Sequence, residues 1–189
     1  ITSLITIPGS NKIINTVDEG TTWTTINSVF SGETNKVHYS KITGTWMAVG
    51  EGVIGNSFNT VATSTDGITW TGLGSVFNIK GNSVFYNNGV WVAVGEDTVS
   101  KKNIAFSTDG GITWGNPTVE LFLTHCNDVI YALGRWWVCG PKYSMYWSEY
   151  GTTWNTTNIY NVVNASVWVY GFKKFNFDGS RLFICTYGF

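Results

Sequence analysis

Four short stretches bring together the hydroxyl, carboxylate and indole groups from which a reactive site could be built. They read VDEGTTW (17–23), STDGITW (64–70), STDGGITW (107–114) and SEYGTTW (148–154). A serine beside an acid serves a hydrolytic centre only when a base orients and activates it. The chain has two histidines, His38 and His125, and no Gly-x-Ser-x-Gly elbow. The stretches therefore do not predict a nucleophilic centre.

The same residue types suit a tight turn between two strands. An aspartate such as Asp66 or Asp109 can accept the backbone N–H groups that a turn leaves unpaired. Glycine supplies the positive φ that such a turn requires. In the first copy Val17 and Glu19 take the serine and aspartate positions, and Tyr150 replaces the acid in the fourth. We therefore expect a structural role, with the tryptophan packed between neighbouring sheets. The predicted turn residues are Gly20, Trp23, Ser64, Asp66, Gly67, Trp70, Ser107, Asp109, Gly110, Gly111, Trp114, Ser148, Gly151 and Trp154.

The rest of the chain repeats with the turns. The closing tryptophans lie 47, 44 and 40 residues apart. Two further lines recur within each unit, and both are short apolar runs that predict strands buried in a sheet. The first line, strand A, reads NKVHY (35–39), NSVFY (82–86) and NDVIY (127–131), with a fourth copy expected at 166–170, followed by a loop over 171–180. The second, strand B, reads GTWMAVG (44–50), GVWVAVG (89–95), GRWWVCG (134–140) and SRLFICT (180–186).

These repeats predict an all-β chain and a single β-propeller domain over 1–189. Each blade is expected to hold four antiparallel strands, with the turns joining strands C and D. The expected units are 24–70, 71–114, 115–154, and a last one that combines 1–23 with 155–189. A ring of four blades closed by both termini is favoured over an open piece of a larger propeller. Because the chain begins with Ile1, we also expect a processed or excised piece of a longer product.

The spelling Ser-x-Asp-x-Gly-x-Thr-Trp resembles the Asp-box, or BNR repeat, of sialidase-like propellers. The copies at 64–70 and 107–114 carry the resemblance, which extends over nearly the whole chain. In a sialidase, the family implies three arginines that clamp the substrate carboxylate. This chain has two arginines, Arg135 and Arg181, at equivalent repeat positions. Lysine does not reproduce the guanidinium fork, so we expect a non-catalytic member of the family.

The composition excludes several classes of partner and ligand. The net charge is −1 and no basic run exceeds two residues, so nucleic-acid binding is not expected. No apolar stretch is long enough for a membrane span. The three cysteines, Cys126, Cys139 and Cys185, show no metal spacing, and we expect free thiols, no metal and no cofactor.

A ligand is expected at the mouth of the central channel, where the A strands begin. Asn35, Asn82 and Asn127 recur there, and His125 lies beside the last of them. They could form a polar rim for a glycan or a protein loop. The competing interpretation is that each asparagine caps the chain as it enters the strand. The loops between strands B and C vary most, and Tyr143, Tyr146 and Tyr160 are candidates for stacking on sugars.

The low charge and the abundance of Asn, Thr, Gly and Trp resemble propeller modules of phage tails and of structural proteins of large DNA viruses. That resemblance implies a virion or extracellular surface component, such as a tail fibre, that adheres to a host glycan or joins protein partners in an assembly. A secreted lectin-like module or a sialidase-like hydrolase fragment stays open. A photosystem assembly factor, also built from Asp-box propellers, is disfavoured because it would present an arginine-rich patch.

Overall fold

The computed structural model describes residues 3–52, 58–117, 124–141, 144–157 and 171–187. Within these residues, sixteen strands form five antiparallel sheets that follow one another along the chain. Sheet 1 contains β1 (Ser3–Thr6), β2 (Lys12–Thr16) and β3 (Thr24–Asn27). Sheet 2 contains β4 (Thr34–Ser40), β5 (Thr45–Gly50), β6 (Val61–Ser64) and β7 (Thr71–Gly72). Sheet 3 contains β8 (Lys80–Asn87), β9 (Val90–Glu96) and β10 (Ile104–Ser107), and an isolated bridge pairs Phe106 with Gly115. Sheet 4 contains β11 (Asp128–Ala132), β12 (Arg135–Cys139), β13 (Met145–Ser148) and β14 (Asn155–Thr157). Sheet 5 contains β15 (Gly171–Phe177) and β16 (Leu182–Tyr187).

The fold is an all-β propeller. Each sheet is a meander in which consecutive strands pair, and the first strand of each sheet contacts the first strand of the next. We call β4, β8, β11 and β15 the inner strands. The mouth end is the end of the sheets at which the inner strands begin. The corner end is the opposite one, where the hairpins after the inner strands and the turns after β2, β6, β10 and β13 lie.

The core is divided among the interfaces between successive sheets. Ile13 of sheet 1 packs with Ala48 and Ala62 of sheet 2. Equivalent clusters join sheets 2 and 3, sheets 3 and 4, and sheets 4 and 5. The central strands are therefore covered on both faces, and Val92, Ala93 and Val94 of β9 have no exposed surface. This explains why strand B reads as a continuous apolar run rather than an alternating one.

Two boundaries differ from the predictions. The fourth strand of a sheet follows the tryptophan, as at Asn155–Thr157 after Trp154, so each sheet ends beyond the unit boundary that the sequence suggested. The segment 171–177, expected to be a loop, is strand β15, while the strand expected at 166–170 lies outside the described residues. The apolar side chains of Phe172 and Phe175 explain the second difference, because both are buried against sheet 4.

The terminal strands form two sheets among the described residues, rather than the one shared blade expected. β1 pairs with β2, and β15 pairs with β16. β1 and β16 both carry the strand-B pattern, and a single meander has one place for such a strand. No helix in the described part of the chain has the length and apolar character to span a membrane.

Candidate functional site at the mouth of the inner strands

The three predicted asparagines connect neighbouring sheets. The Asn35 side-chain amide donates to the carbonyl oxygen of Gly81 at 2.8 Å, and that of Asn82 donates to Cys126 at 2.8 Å. Asn127 repeats the contact with Phe172 at 2.6 Å. Each amide therefore reaches the inner segment of the following sheet. The capping interpretation holds in a modified form, because the acceptor lies in the next sheet rather than in the same turn.

A backbone irregularity positions these side chains. The ladder between the first two strands of sheet 2 shifts register around Asn35, and that of sheet 3 shifts around Asn82. A β-bulge of this kind leaves one residue unpaired and redirects its side chain. In sheet 5 the equivalent shift falls at Lys173, so the asparagine series ends there.

The residue after each asparagine contributes to a second set of contacts, which we call the polar centre. Lys36 Nζ donates to Ser83 Oγ at 2.9 Å and to Asp128 Oδ1 at 3.0 Å. Ser83 Oγ donates to Asp128 Oδ1 at 2.6 Å. The second carboxylate oxygen accepts the backbone N–H of Phe175 at 2.8 Å. The polar centre therefore joins one residue from each of the four inner strands.

Burial differs within the polar centre. The Asp128 side chain is 6% exposed and that of Lys36 is 27% exposed. The Asp128 charge is compensated by the Lys36 ammonium and by two further donors, the Ser83 hydroxyl and the Phe175 N–H, which is what a buried carboxylate requires. An ammonium has three N–H donors, and the two contacts with Ser83 and Asp128 leave one for a further acceptor. Lys36 is thus the member of the polar centre that can contact a ligand.

Ser83 does not have the exposure of a nucleophile. The residue is 1% exposed, and its hydroxyl is held between Lys36 and Asp128. The arrangement satisfies buried polar groups in a way that favours one fixed geometry of the inner strands.

His38 lies on the inner strand of sheet 2, packed among aromatic rings. Its ring centroid is 4.3 Å from that of Phe85 and 5.8 Å from that of Trp91. Burial, with a smaller contribution from the Lys36 charge, lowers the pKa of His38 to about 4. The imidazole is therefore neutral at physiological pH and acts as a packing group.

His125, the fourth predicted ligand residue, lies beside Asn127 and is half-buried. Its Nδ1 is 3.1 Å from Thr124 Oγ1. Burial lowers the pKa of His125, the Glu96 charge opposes this, and Lys80 adds to it. Lys80 and Glu96 form an ion pair of 3.8 Å. His125 therefore belongs to a second charged group at the mouth end, separate from the polar centre.

At the corner end, the aspartates bond within their own turns. Asp66 accepts the backbone N–H groups of Ile68 at 2.8 Å and Thr69 at 2.7 Å, and Ser64 Oγ donates to it at 2.9 Å. Asp109 likewise accepts the backbone N–H groups of Ile112 and Thr113. These hydrogen bonds hold the pKa of both carboxyl groups well below the ordinary value.

The first copy of the turn corrects the sequence alignment. Thr16 and Asp18, rather than Val17 and Glu19, occupy the serine and aspartate positions. Thr16 Oγ1 donates to Asp18 at 2.7 Å and accepts the Gly20 N–H at 2.9 Å. Asp18 also accepts the Thr22 N–H at 2.9 Å, and its bonds to Thr22 lower its pKa to about 2. The prediction that Val17 and Glu19 take the serine and aspartate positions was wrong, because this copy has the longer spacing of 107–114 rather than that of 64–70.

The turns also contact the preceding sheet. A side-chain carbon added at Gly67 would lie 3.2 Å from Leu4 Cδ1 of sheet 1, and one at Gly151 would lie 3.0 Å from Val92 Cγ2 of sheet 3. Ser148 Oγ, in the copy without an acid, accepts the Gly151 N–H at 2.8 Å. Trp70 and Trp154 are 8% and 4% exposed, whereas Trp23 of the first turn is 44% exposed. No described sheet precedes sheet 1, which leaves Trp23 without a facing surface.

The remaining candidate groups do not converge. Arg135 lies over the Trp147 ring at 4.2 Å, and Arg181 pairs with Asp178 at 3.0 Å, both at the corner end. Cys126 and Cys139 are buried free thiols whose pKa burial raises, and Cys185 is exposed. Within the described residues, no three His, Cys, Asp or Glu side chains are grouped so as to hold a metal ion.

Sequence reasoning missed the polar centre. Lys36, Ser83 and Asp128 each follow a repeated asparagine, and this shared position was the available signal. Because the three residues are of different types, a comparison of the repeats that looks for identical residues does not detect them.

Comparison with known proteins supports the fold. No family model matches the chain, and no curated protein matches it. A structure of YCF48 bound to D1 peptide aligns over 99% of this chain and 58% of its own, with a TM-score of 0.64 and 20% identity. A structure of YCF48 from Cyanidioschyzon merolae aligns over 98% of this chain and 76% of its own, with a TM-score of 0.50 and 14% identity. YCF48 is a β-propeller protein, and this chain spans less than two thirds of the first structure's length.

Proposed function

We propose that the chain is a non-enzymatic propeller module that binds an extended segment of a partner protein at the mouth end. The observation that carries the proposal is the polar centre. It brings a partly exposed cation, Lys36, to a point that residues of four sheets define together.

The asparagines supply complementary acceptors. Each uses its amide nitrogen on the next sheet, and no described residue donates to the carboxamide oxygens of Asn35, Asn82 or Asn127. An extended peptide offers N–H donors and carbonyl acceptors along its length. It can therefore donate to the asparagine oxygens and accept from the remaining N–H of Lys36.

The fold likeness adds support from another protein. One YCF48 structure that aligns with this chain is of a complex with a peptide. A protein segment is therefore favoured over a glycan as the ligand. Among the aromatic candidates for sugar stacking, Tyr146 is 6% exposed and packs in the core, while Tyr143 and Tyr160 lie outside the described residues.

The non-enzymatic part of the proposal depends on the chemistry that the mouth end offers. Both arginines lie at the corner end, and Ser83 is inaccessible. His38 is neutral and stacked between rings. A carboxylate clamp would need the arginines, and an activated nucleophile would need Ser83 with His38. These side chains are already held in the contacts described above.

Two further parts of the proposal concern the family of the corner turns and the location of the protein. The bonding of Thr16 with Asp18, Ser64 with Asp66 and Ser107 with Asp109 supports placing the corner turns in the Asp-box family. The composition supports a virion or extracellular surface location, such as a tail fibre.

A random peptide library displayed on phage, panned against the full chain, tests the function. We expect selected peptides to bind, and Lys36→Gln to weaken their binding by about tenfold, equivalent to about 1.4 kcal/mol. Lys41→Gln, which removes an exposed lysine from a corner-end hairpin, is the matched control and should leave the affinity unchanged.

Two results would contradict the proposal. One is equal loss of affinity in Lys36→Gln and Lys41→Gln when thermal unfolding shows both variants folded. The other is binding on a glycan array, or turnover of a fluorogenic sialoside, with no peptide selected.

A further inference from the structure

The corner end exposes an apolar side chain on each of its four turns. Val17 is 68% exposed, Ile68 59%, Ile112 76% and Tyr150 69%. We call these four residues the corner rim. Two neighbouring hairpins add Ile42, 80% exposed, and Leu133, 55% exposed. Turn tips ordinarily carry glycine or small polar residues, and no contact among the described residues accounts for apolar side chains at all these positions.

The corner rim is held in a fixed geometry. The backbone N–H groups of Ile68 and Ile112 donate to Asp66 and Asp109, which lie in the same turns. The glycine of each later turn lies against the preceding sheet. A partner that packs on these side chains would therefore lose little free energy to ordering the surface.

The charged residues of the four turns are all acidic, while the neighbouring corner-end hairpins carry the cations Lys41, Arg135 and Arg181. The four turn segments carry five carboxylates and no lysine or arginine. All five acidic residues are exposed, and they are Asp18, Glu19, Asp66, Asp109 and Glu149. Apolar side chains set among carboxylates complement a surface in which apolar side chains are set among cations.

We propose that the corner rim docks a lysine- and arginine-rich segment of a partner protein whose apolar side chains lie between its cations. The rim is at the opposite end of the sheets from the polar centre, so the inference does not depend on the proposed function. A second copy of the chain is a poor occupant, because it would place carboxylates against carboxylates. An anionic membrane is disfavoured by the same repulsion.

Two synthetic peptides of equal length and charge test the inference, one alternating lysine with leucine and the other lysine with serine. Binding to the full chain is measured by fluorescence anisotropy. We expect the lysine–leucine peptide to bind at least about tenfold more tightly, and the double variant Ile68→Ser/Ile112→Ser to remove that difference. Val99→Ser is the matched control, because Val99 is 80% exposed in a loop at the mouth end.

The carboxylates are tested separately with Glu19→Gln/Glu149→Gln, which leaves the aspartates of the turns in place. This variant should bind the lysine–leucine peptide more weakly, with a shallower dependence on salt. The inference is overturned if the lysine–leucine peptide does not bind, if Val99→Ser loses as much affinity as the double isoleucine variant, or if the two peptides bind equally. Binding to anionic vesicles, or dimerisation that Ile68→Ser/Ile112→Ser abolishes, would also overturn it.

Discussion

The two ends of the sheets use repeated polar residues in opposite ways. At the corner end, Asp109 bonds to Ile112 and Thr113, three and four residues away. At the mouth end, Asn82 bonds to Cys126, 44 residues away. The hydrogen bonds of the corner turns are local, and each sheet forms them for itself even though the glycines of the later turns pack on the preceding sheet. The mouth end exists only when several sheets have come together.

Because of this difference, we expect the corner turns to tolerate substitution and the polar centre not to tolerate it. The fourth turn has Tyr150 in place of the acid, and Ser148 still holds the Gly151 N–H. The polar centre has no such redundancy, because Asp128 is the one acceptor that Lys36, Ser83 and Phe175 share. Its loss should therefore be felt in all the sheets that it joins.

The largest expected effect is that of Asp128→Ala. Removal of the carboxylate leaves the Phe175 N–H and the Lys36 ammonium without their shared acceptor, and we expect a loss of about 3 kcal/mol in the free energy of unfolding. Chemical denaturation measures it. Asp109→Ala is the comparison at the corner end and should cost much less. Equal losses in the two variants would contradict the distinction between the two ends.

A change of pH should affect the two regions in different ranges. Burial lowers the pKa of His38 from 6.5 to about 4, so the unfolded chain takes up a proton first as the pH falls. The stability that neutral His38 contributes is therefore present above about pH 6.5 and declines by about 3 kcal/mol as the pH falls towards 4. His38→Phe should remove this dependence of the free energy of unfolding on pH.

The corner aspartates titrate lower. Their pKa values are depressed, that of Asp18 to about 2, so the stability they contribute is present above about pH 4 and is lost as the pH falls below it. Unfolding followed by tryptophan fluorescence across pH measures both ranges. A flat wild-type profile between pH 6.5 and 4 would contradict the buried, neutral state of His38.

A smaller effect is expected for the asparagine contacts. Asn82→Ala removes the donor to the Cys126 carbonyl, and we expect a loss of about 1 kcal/mol. Asn82→Asp should lose more, because a carboxylate has no N–H to donate and is repelled by the carbonyl oxygen. Asn176→Ala, at an exposed position of the inner strand β15, is the control. Greater stability of Asn82→Asp than of Asn82→Ala would show that the contact is not a hydrogen bond from the amide.

The smallest predicted effect is a gain. Tyr150→Asp restores an acceptor to the fourth turn, and we expect it to stabilise the protein by about 0.5 kcal/mol. Tyr150→Ala removes the phenol without adding an acceptor and serves as the control. A thermal melt that ranks the two variants equally would indicate that the acid does not set the turn's stability.

Sequence reasoning works best where contacts are local. The apolar runs of strands A and B predicted the sheets, and Asp66 with Gly67 predicted a turn, because the groups that interact are a few residues apart. Local patterns do not always give the correct alignment of repeated turns. Asp18 was missed because the first copy was aligned on the shorter spacing of 64–70.

The contacts at the mouth end could not be predicted from local sequence patterns. The asparagines were found by repetition, but their acceptors belong to the next sheet. The contact between Lys36 and Asp128 joins residues 92 positions apart and depends on how three sheets are arranged. The two terminal sheets show the same limit, because pairing between distant strands depends on geometry that apolar patterns do not record.

Native-state hydrogen exchange of Asp128→Asn and Asp109→Asn shows whether the mouth end, and not the corner end, joins the sheets. We expect Asp128→Asn to speed amide exchange in β4, β8, β11 and β15 together, and Asp109→Asn to speed it only within 107–114. If exchange in Asp128→Asn rises only near residue 128, or if Asp109→Asn loosens the inner strands, the mouth end is not the region that joins the sheets.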